Sequence, residues 1–391
     1  MIHVFTGPTL SPDDPALRHR YLRVRPPIRH GDLFDPQITA DDTVVIIDGV
    51  YHHSPAVRHK ELVWTLGRGV RVVGTASIGA LRAAELHAFG MIGVGAVWHA
   101  YVEGRLDGDD EVAVAQSTDD ARACTWPLVR VRQVAGTART EGVIDADQET
   151  QIVDALAGVY YAHRTLHAVK RLGQRIAPEF THWLTQALTV DAHFGDVKRA
   201  DALDAIELAQ ELAGSPAEVV PGLTWTTRCF RQWANAFAFQ DTEQGRLPTV
   251  QRVNFQQIFD RQFKEVWWEF LTSRGAPDLP ATLTCAVINP RADLTDETTT
   301  ARLLARETAA DRADVARYAA ITAEACRSNR GFFPEAIKES VVREMLAGVW
   351  CVSSAGLEEE AWLRGFQGTK EAVAAARPFV LGFLRDQGVP Q

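Results

Sequence analysis

One serine stands where chemistry would need it. In Val72-Val73-Gly74-Thr75-Ala76-Ser77-Ile78-Gly79-Ala80-Leu81 a β-prone run meets a turn of small residues and a helix former follows. A hydroxyl on a strand-to-helix turn projects outward, and the first N–H groups of the helix, those of Ile78 and Gly79, point at whatever lies beside it. Such a place suits an anion or a developing oxyanion. The pattern is close to the nucleophile elbow, in which glycines sit two residues either side of a serine. Here Thr75 takes the first of those places and Gly79 the second. The competing reading is a helix whose N-cap, Ser77, satisfies its own backbone.

A serine nucleophile needs a base, usually histidine. His52 and His53 follow the strand end at Asp48, and His59 lies about one turn into the next helix. The residues leave that choice open. Asp48 could orient a histidine, activate water, or hold a tight turn before Gly49. Gly7, just past the first strand, is expected at the same crevice as an anion-binding residue. Arg82 and Glu85 are three apart and can pair with each other. Glu85 lies about 12 Å along the helix from Ser77, too far to touch it. Asp109-Asp110-Glu111 could hold a hard cation, supply a carboxylate base, or cap a following element. His163 and His167 have a zinc-compatible spacing but lack the glutamate of H-E-x-x-H, and His99 beside Trp98 reads as a packed histidine.

These residues must be positioned by strands and helices. Residues 2–6, 43–48 and 70–75 are short β-rich runs, and the continuous apolar run Val44-Val45-Ile46-Ile47 implies burial on both faces, as in a parallel sheet. Between the last two, Ser54-Pro55 opens a helix over 54–68 carrying Val57, Leu62, Val63 and Leu66. This β-α-β unit places Gly7, Asp48 and Ser77 at strand carboxyl ends, where open α/β sheets bind ligands. The expected architecture is an α/β domain over 1–140, with a mostly parallel sheet and flanking helices, followed by a largely helical region. Helical spacing runs over 149–172 and 203–212. An aromatic-rich helical region extends to 272, in which Phe255, Phe259, Phe263 and Trp267 would share one helix face as core or docking surface. Residues 273–300 read as a linker or long loop, and 301–391 as a last helical segment.

The 391 residues are 46% hydrophobic and 23% charged, with a net charge of -9, enough for ordinary cores and unlike a general nucleic-acid or anionic-membrane binder. No apolar run approaches the roughly 20 residues of a membrane span, and Met1-Ile2-His3-Val4-Phe5 lacks a signal-peptide layout, so a cytoplasmic protein is expected. Cys124, Cys229, Cys285, Cys326 and Cys351 are scattered, as reduced thiols are. No G-x-x-x-x-G-K-[ST] loop is present, and no cofactor or metal is expected.

Several blocks, taken in order, resemble the TfuA-like proteins: Phe5-Thr6-Gly7-Pro8-Thr9-Leu10-Ser11, Ile47-Asp48-Gly49-Val50, His59-Lys60-Glu61, the run from Gly74 to Leu86, Phe89-Gly90-Met91-Ile92-Gly93-Val94-Gly95, and Asp109-Asp110-Glu111-Val112-Ala113-Val114. The likeness continues thinly to Val197-Lys198-Arg199-Ala200-Asp201-Ala202. It implies an accessory protein of a YcaO enzyme that converts a peptide-backbone amide to a thioamide. It also implies release of sulfide from a thiocarboxylated ThiS-like carrier, and help in holding the precursor peptide. The resemblance supports His59 as a site residue. Where the family often has His-Gly after its acidic block, this chain has Gln116-Ser117. The other reading is a non-catalytic scaffold for the YcaO enzyme and its peptide.

Overall fold

The computed structural model describes residues 1–50, 55–117, 122–215, 217, 227–275, 280–288 and 290–388. The chain divides into two compact units: Met1–Leu33 with Gln37–Trp225, and Phe34–Pro36 with Thr226–Gln391.

The first unit is built on a parallel sheet of β1 (Ile2–Phe5), β2 (Leu22–Arg25), β3 (Thr43–Ile46), β4 (Arg71–Thr75) and β5 (Ile92–Val94), in the order β2-β1-β3-β4-β5. The three strands read from sequence are β1, β3 and β4; β2 and β5 complete the edges. Val44 and Ile46 face a core shared with Leu62, Leu66, Ala83 and Leu86 of α1 (His59–Gly67) and α2 (Ile78–Leu86). Val45 and Ile47 face the opposite core. Alternation within a continuous apolar run therefore feeds two layers, as a doubly covered sheet requires. α1 begins at His59 and not near Ser54, because Glu61 accepts the Arg58 N–H at 3.1 Å and starts the helix there.

The second face of the sheet is covered from far along the chain. After α3 (Ala96–Val102), four helices follow: α4 (Leu128–Thr140), α5 (Ala146–Ala157), α6 (Leu166–Ile176) and α7 (Pro178–Val190). They pack around Val131, Val134, Ile152, Leu156 and Phe180. The helical spacing over 149–172 is thus two helices. α5 ends at Gly158, and Thr165 restarts the chain by accepting the Ala168 N–H at 3.1 Å. Then α8 (Val197–Glu211) lays Ala202, Ala205, Ile206 and Ala209 on Val45, Ile47 and Val73. Small side chains let the helix axis approach the sheet closely.

The second unit pairs β6 (Phe239–Thr242) and β7 (Gly245–Pro248) in an antiparallel hairpin. Its helices are α9 (Arg228–Ala236), α10 (Thr249–Phe259), α11 (Phe263–Thr272), α12 (Ala281–Val287), α13 (Glu297–Leu303), α14 (Ala309–Ser328), α15 (Glu339–Trp350), α16 (Leu357–Leu363), α17 (Thr369–Ala376) and α18 (Val380–Asp386). The aromatic stripe does not lie on one helix face. The chain leaves the helix at Asp260, whose ψ is 115° and whose side chain accepts the Gln262 N–H at 2.9 Å. Phe255 joins a core with Val315, Tyr318 and Phe379, whereas Phe263 and Trp267 join another with Phe270 and Cys285. Residues 273–300, read as loop, contain α12 and the start of α13. Among the described residues no helix is long and apolar enough to cross a membrane.

Candidate functional site

The strand order places a topological switch between β1 and β3, whose onward connections leave in opposite directions and open a crevice at their carboxyl ends. Asp48, just past β3, spans it. Its Oδ2 accepts the N–H groups of Gly7 and Thr9, each at 2.9 Å, and its Oδ1 accepts the Thr9 hydroxyl at 2.6 Å. Gly7 therefore spends its N–H on Asp48 and has none left for the anion-binding role expected of it.

Ser77 follows β4 through a strained turn. The Ser77 N–H reaches back to the Thr75 carbonyl at 2.6 Å around Ala76, whose φ is +61°. That is a γ-turn with positive φ at its centre, a rare and costly conformation. The positive φ falls on Ala76, and Ser77 itself sits at φ −124° and ψ −127°, outside both the helical and the extended regions. Gly79 serves the same turn: a Cβ there would lie 1.7 Å from the Ile46 carbonyl oxygen, so only glycine lets the first turn of α2 rest on the end of β3. The N–H groups of Ile78 and Gly79 fall among the unsatisfied donors of a helix start, and neither meets an acceptor among the described residues.

The partner of Ser77 is a lysine. Lys198 in the first turn of α8 brings Nζ to 3.2 Å from Ser77 Oγ, donates to the Val112 carbonyl at 2.8 Å, and lies 4.0 Å from Asp48 Oδ1. All three side chains are inside the protein: Ser77 and Lys198 are each 3% exposed and Asp48 1%. Burial pushes the Lys198 ammonium below the ordinary lysine range, and the opposite charge of Asp48 resists that shift. A lysine held toward its neutral form beside a serine hydroxyl is a candidate general base. Sequence reasoning passed over it, although a signal was present. Lys198 stands at i, with Ala202, Ala205 and Ala209 at i+4, i+7 and i+11, so it is a charge on the buried stripe of its helix.

The other expected site residues form separate groups. His59 Nε2 is 2.8 Å from Glu85 Oε2, and Arg82 Nη1 donates to the same oxygen at 2.5 Å, so the three join α1 to α2 through side chains. His59 is thus engaged away from Ser77. His53, with His52, lies outside the described residues. In the acidic block, Asp110 binds the buried Arg164, whose Nη1 also donates to the Asp110 carbonyl at 3.0 Å. Glu111 takes Arg132 in two bonds of 2.7 and 3.0 Å, and the Asp109 carbonyl accepts the Val112 N–H at 3.2 Å. These contacts hold Val112, whose carbonyl fixes the Lys198 ammonium. The block thus acts on the site through its backbone.

Asp201, one turn beyond Lys198, accepts the N–H groups of Ala96 and Val97 at 2.9 and 2.8 Å and so caps α3 from another helix. Burial pushes its carboxyl up to about 6 against the pull of those two bonds.

Residues 48–165 match the family model described as TfuA-like protein, so the chain carries a TfuA-like domain that contains Asp48, Ser77 and the acidic block. The match ends before Lys198. No curated protein matches the chain.

Proposed function

We propose that this TfuA-like chain is the sulfur-releasing accessory protein of a YcaO-dependent peptide thioamidation, with Ser77 and Lys198 as its hydrolytic pair. The domain match supports the pathway, and the 3.2 Å approach of Lys198 Nζ to Ser77 Oγ carries the chemistry. Neutral Lys198 takes the Ser77 proton as Oγ attacks the carbonyl carbon of a thiocarboxylated ThiS-like carrier. The oxyanion forms beside the N–H groups of Ile78 and Gly79. Collapse breaks the C–S bond, sulfur leaves with the proton held by Lys198, and an ester on Ser77 remains. Water, deprotonated by Lys198, then attacks the ester and restores the serine. The net reaction converts thiocarboxylate and water to carboxylate and hydrogen sulfide, without ATP. The sulfide is released for the YcaO enzyme as it works on the precursor peptide, in a reducing cytoplasm where the cysteines stay free.

A second reading rests on burial. With all three polar side chains at most 3% exposed, they could simply pin α8 to the sheet in a non-catalytic scaffold that recruits the YcaO enzyme and its peptide. One experiment separates the two. Carrier thiocarboxylate is incubated with wild type, Ser77→Ala and Lys198→Met, and the exchange of one sulfur for one oxygen is read by mass spectrometry. The hydrolase reading expects both variants to lose roughly 100-fold or more of the rate. A wild-type rate equal to the uncatalysed one, with thioamidation by the YcaO enzyme still enhanced, selects the scaffold.

A further inference from the structure

We propose that the second unit carries a receptor pocket for an arginine side chain presented by a peptide segment, a site separate from the Ser77–Lys198 pair. A cavity of about 470 Å³ lies among α10, α14 and α18. Its wall is aromatic: Phe255, Phe259, Tyr318 and Phe383 all line it, with Phe255 and Phe259 at 4.6 Å between centroids and Phe259 and Phe383 at 6.0 Å. Carboxylates from Asp260, Asp311, Asp314 and Asp386 line the same space.

Two guanidinium groups meet three of those four acids in ion pairs among the described residues, while Asp311 accepts the Thr308 N–H at 2.8 Å. Arg306, which itself lines the cavity, pairs with Asp260, and Arg317 pairs with both Asp314 and Asp386. The cavity therefore retains an excess of negative charge beside π faces, the combination that attracts a cation.

An independent observation places a hydrogen-bonding group in the same cavity. Gln256 lines it and is only 2% exposed, and its carboxamide atoms are not among the buried polar atoms without a partner, so what little of them is accessible faces the water of the cavity. A carboxamide wetted only from the cavity is available to a ligand that displaces that water. A ligand donor would take the place of that water at its oxygen.

Arg317 shows which cation the wall favours. Its Cζ sits 4.6 Å from the Tyr318 ring centroid, while its Nη1 and Nη2 each reach an Asp386 oxygen at 2.7 Å. A planar guanidinium can stack on a ring and still donate in its plane to carboxylate and carboxamide oxygens. An ammonium presents a point charge without that fork. The cavity volume exceeds what one side chain fills, so room remains for the backbone that presents it.

The test is calorimetric titration of the full chain with acetyl-Gly-Arg-Gly-amide, alongside the peptides with citrulline or lysine in place of arginine. The arginine peptide should bind saturably. The citrulline peptide, matched in shape but uncharged, should bind at least tenfold more weakly, and the lysine peptide several-fold more weakly. Asp314→Asn, an exposed change, and Phe259→Leu should each weaken the arginine peptide about threefold or more, and Gln256→Leu should do the same if its melting curve remains cooperative. No saturable binding, citrulline within twofold of arginine, lysine equal to arginine, or unchanged affinity in Asp314→Asn and Phe259→Leu would each overturn the assignment.

Discussion

At the residue scale, Ser77, Lys198 and Asp48 form one electrostatic unit. Burial pushes the Lys198 ammonium below the ordinary lysine range, while Asp48, 4.0 Å away, favours its charged form. Only the neutral amine accepts a proton, so the rate of carrier hydrolysis should rise with pH through the Lys198 titration, on a limb below the ordinary lysine range. Asp48→Asn removes the charge that holds the proton on, and should move that limb to lower pH. Lys198→Arg keeps the positive charge but cannot titrate, and should abolish the limb along with at least roughly 100-fold of the rate. A pH series of kcat/KM on the three proteins decides this. A wild-type limb unmoved by Asp48→Asn would detach Asp48 from the base. The neighbouring Ala76 holds the positive φ of the turn, at +61°.

At the element scale, α8 does two jobs. Its alanine stripe closes the second face of the sheet, and its first turns deliver Lys198 to Ser77 and Asp201 to the N-terminus of α3. Asp201→Ala should cost about 1–2 kcal/mol, as loss of a helix N-cap does. The pH dependence has a definite sign. The carboxyl titrates near 3.8 in the unfolded chain and about 6 in the fold, so the folded state holds the extra proton between those values. Its contribution to stability is therefore greatest below pH 3.8 and declines as pH rises to about 6. Asp201→Asn keeps an acceptor oxygen without a charge and should lose that decline. Melting temperatures of wild type and Asp201→Asn across pH 4–7 should drift apart in favour of the variant as pH rises; parallel curves would contradict the raised carboxyl. The break between α10 and α11 belongs to the same scale. An Asp260 turn separates Phe259 from Phe263, and residues spaced by four in sequence enter two cores.

At the scale of the whole molecule, each unit has its own apolar core, Leu62 and Val44 in one and Phe263 and Trp267 in the other. Leu62→Ala should remove about 2–5 kcal/mol and Phe263→Ala about 3–5 kcal/mol. The two changes should move different parts of the calorimetric unfolding profile, since chains with separate cores need not unfold in one step. A profile shifted identically by both would reject the division. What the sequence determined by itself is local. The apolar run of β3, the turn at Ser77 and the helix after it announce a parallel sheet with Ser77 at a strand end, because strand burial and turn chemistry are written in neighbouring residues. The Arg82–Glu85 pair follows from helical spacing in the same way. Tertiary structure decided which group faces Ser77. Lys198 is 121 residues from Ser77, and only the return of α8 across the sheet brings an amine to the serine. It also drew His59 to Glu85 and turned the acidic block toward Arg164 and Arg132, because a charge brought into the fold settles on whichever opposite charge packing sets beside it. Spacing along the chain carries no record of that neighbour.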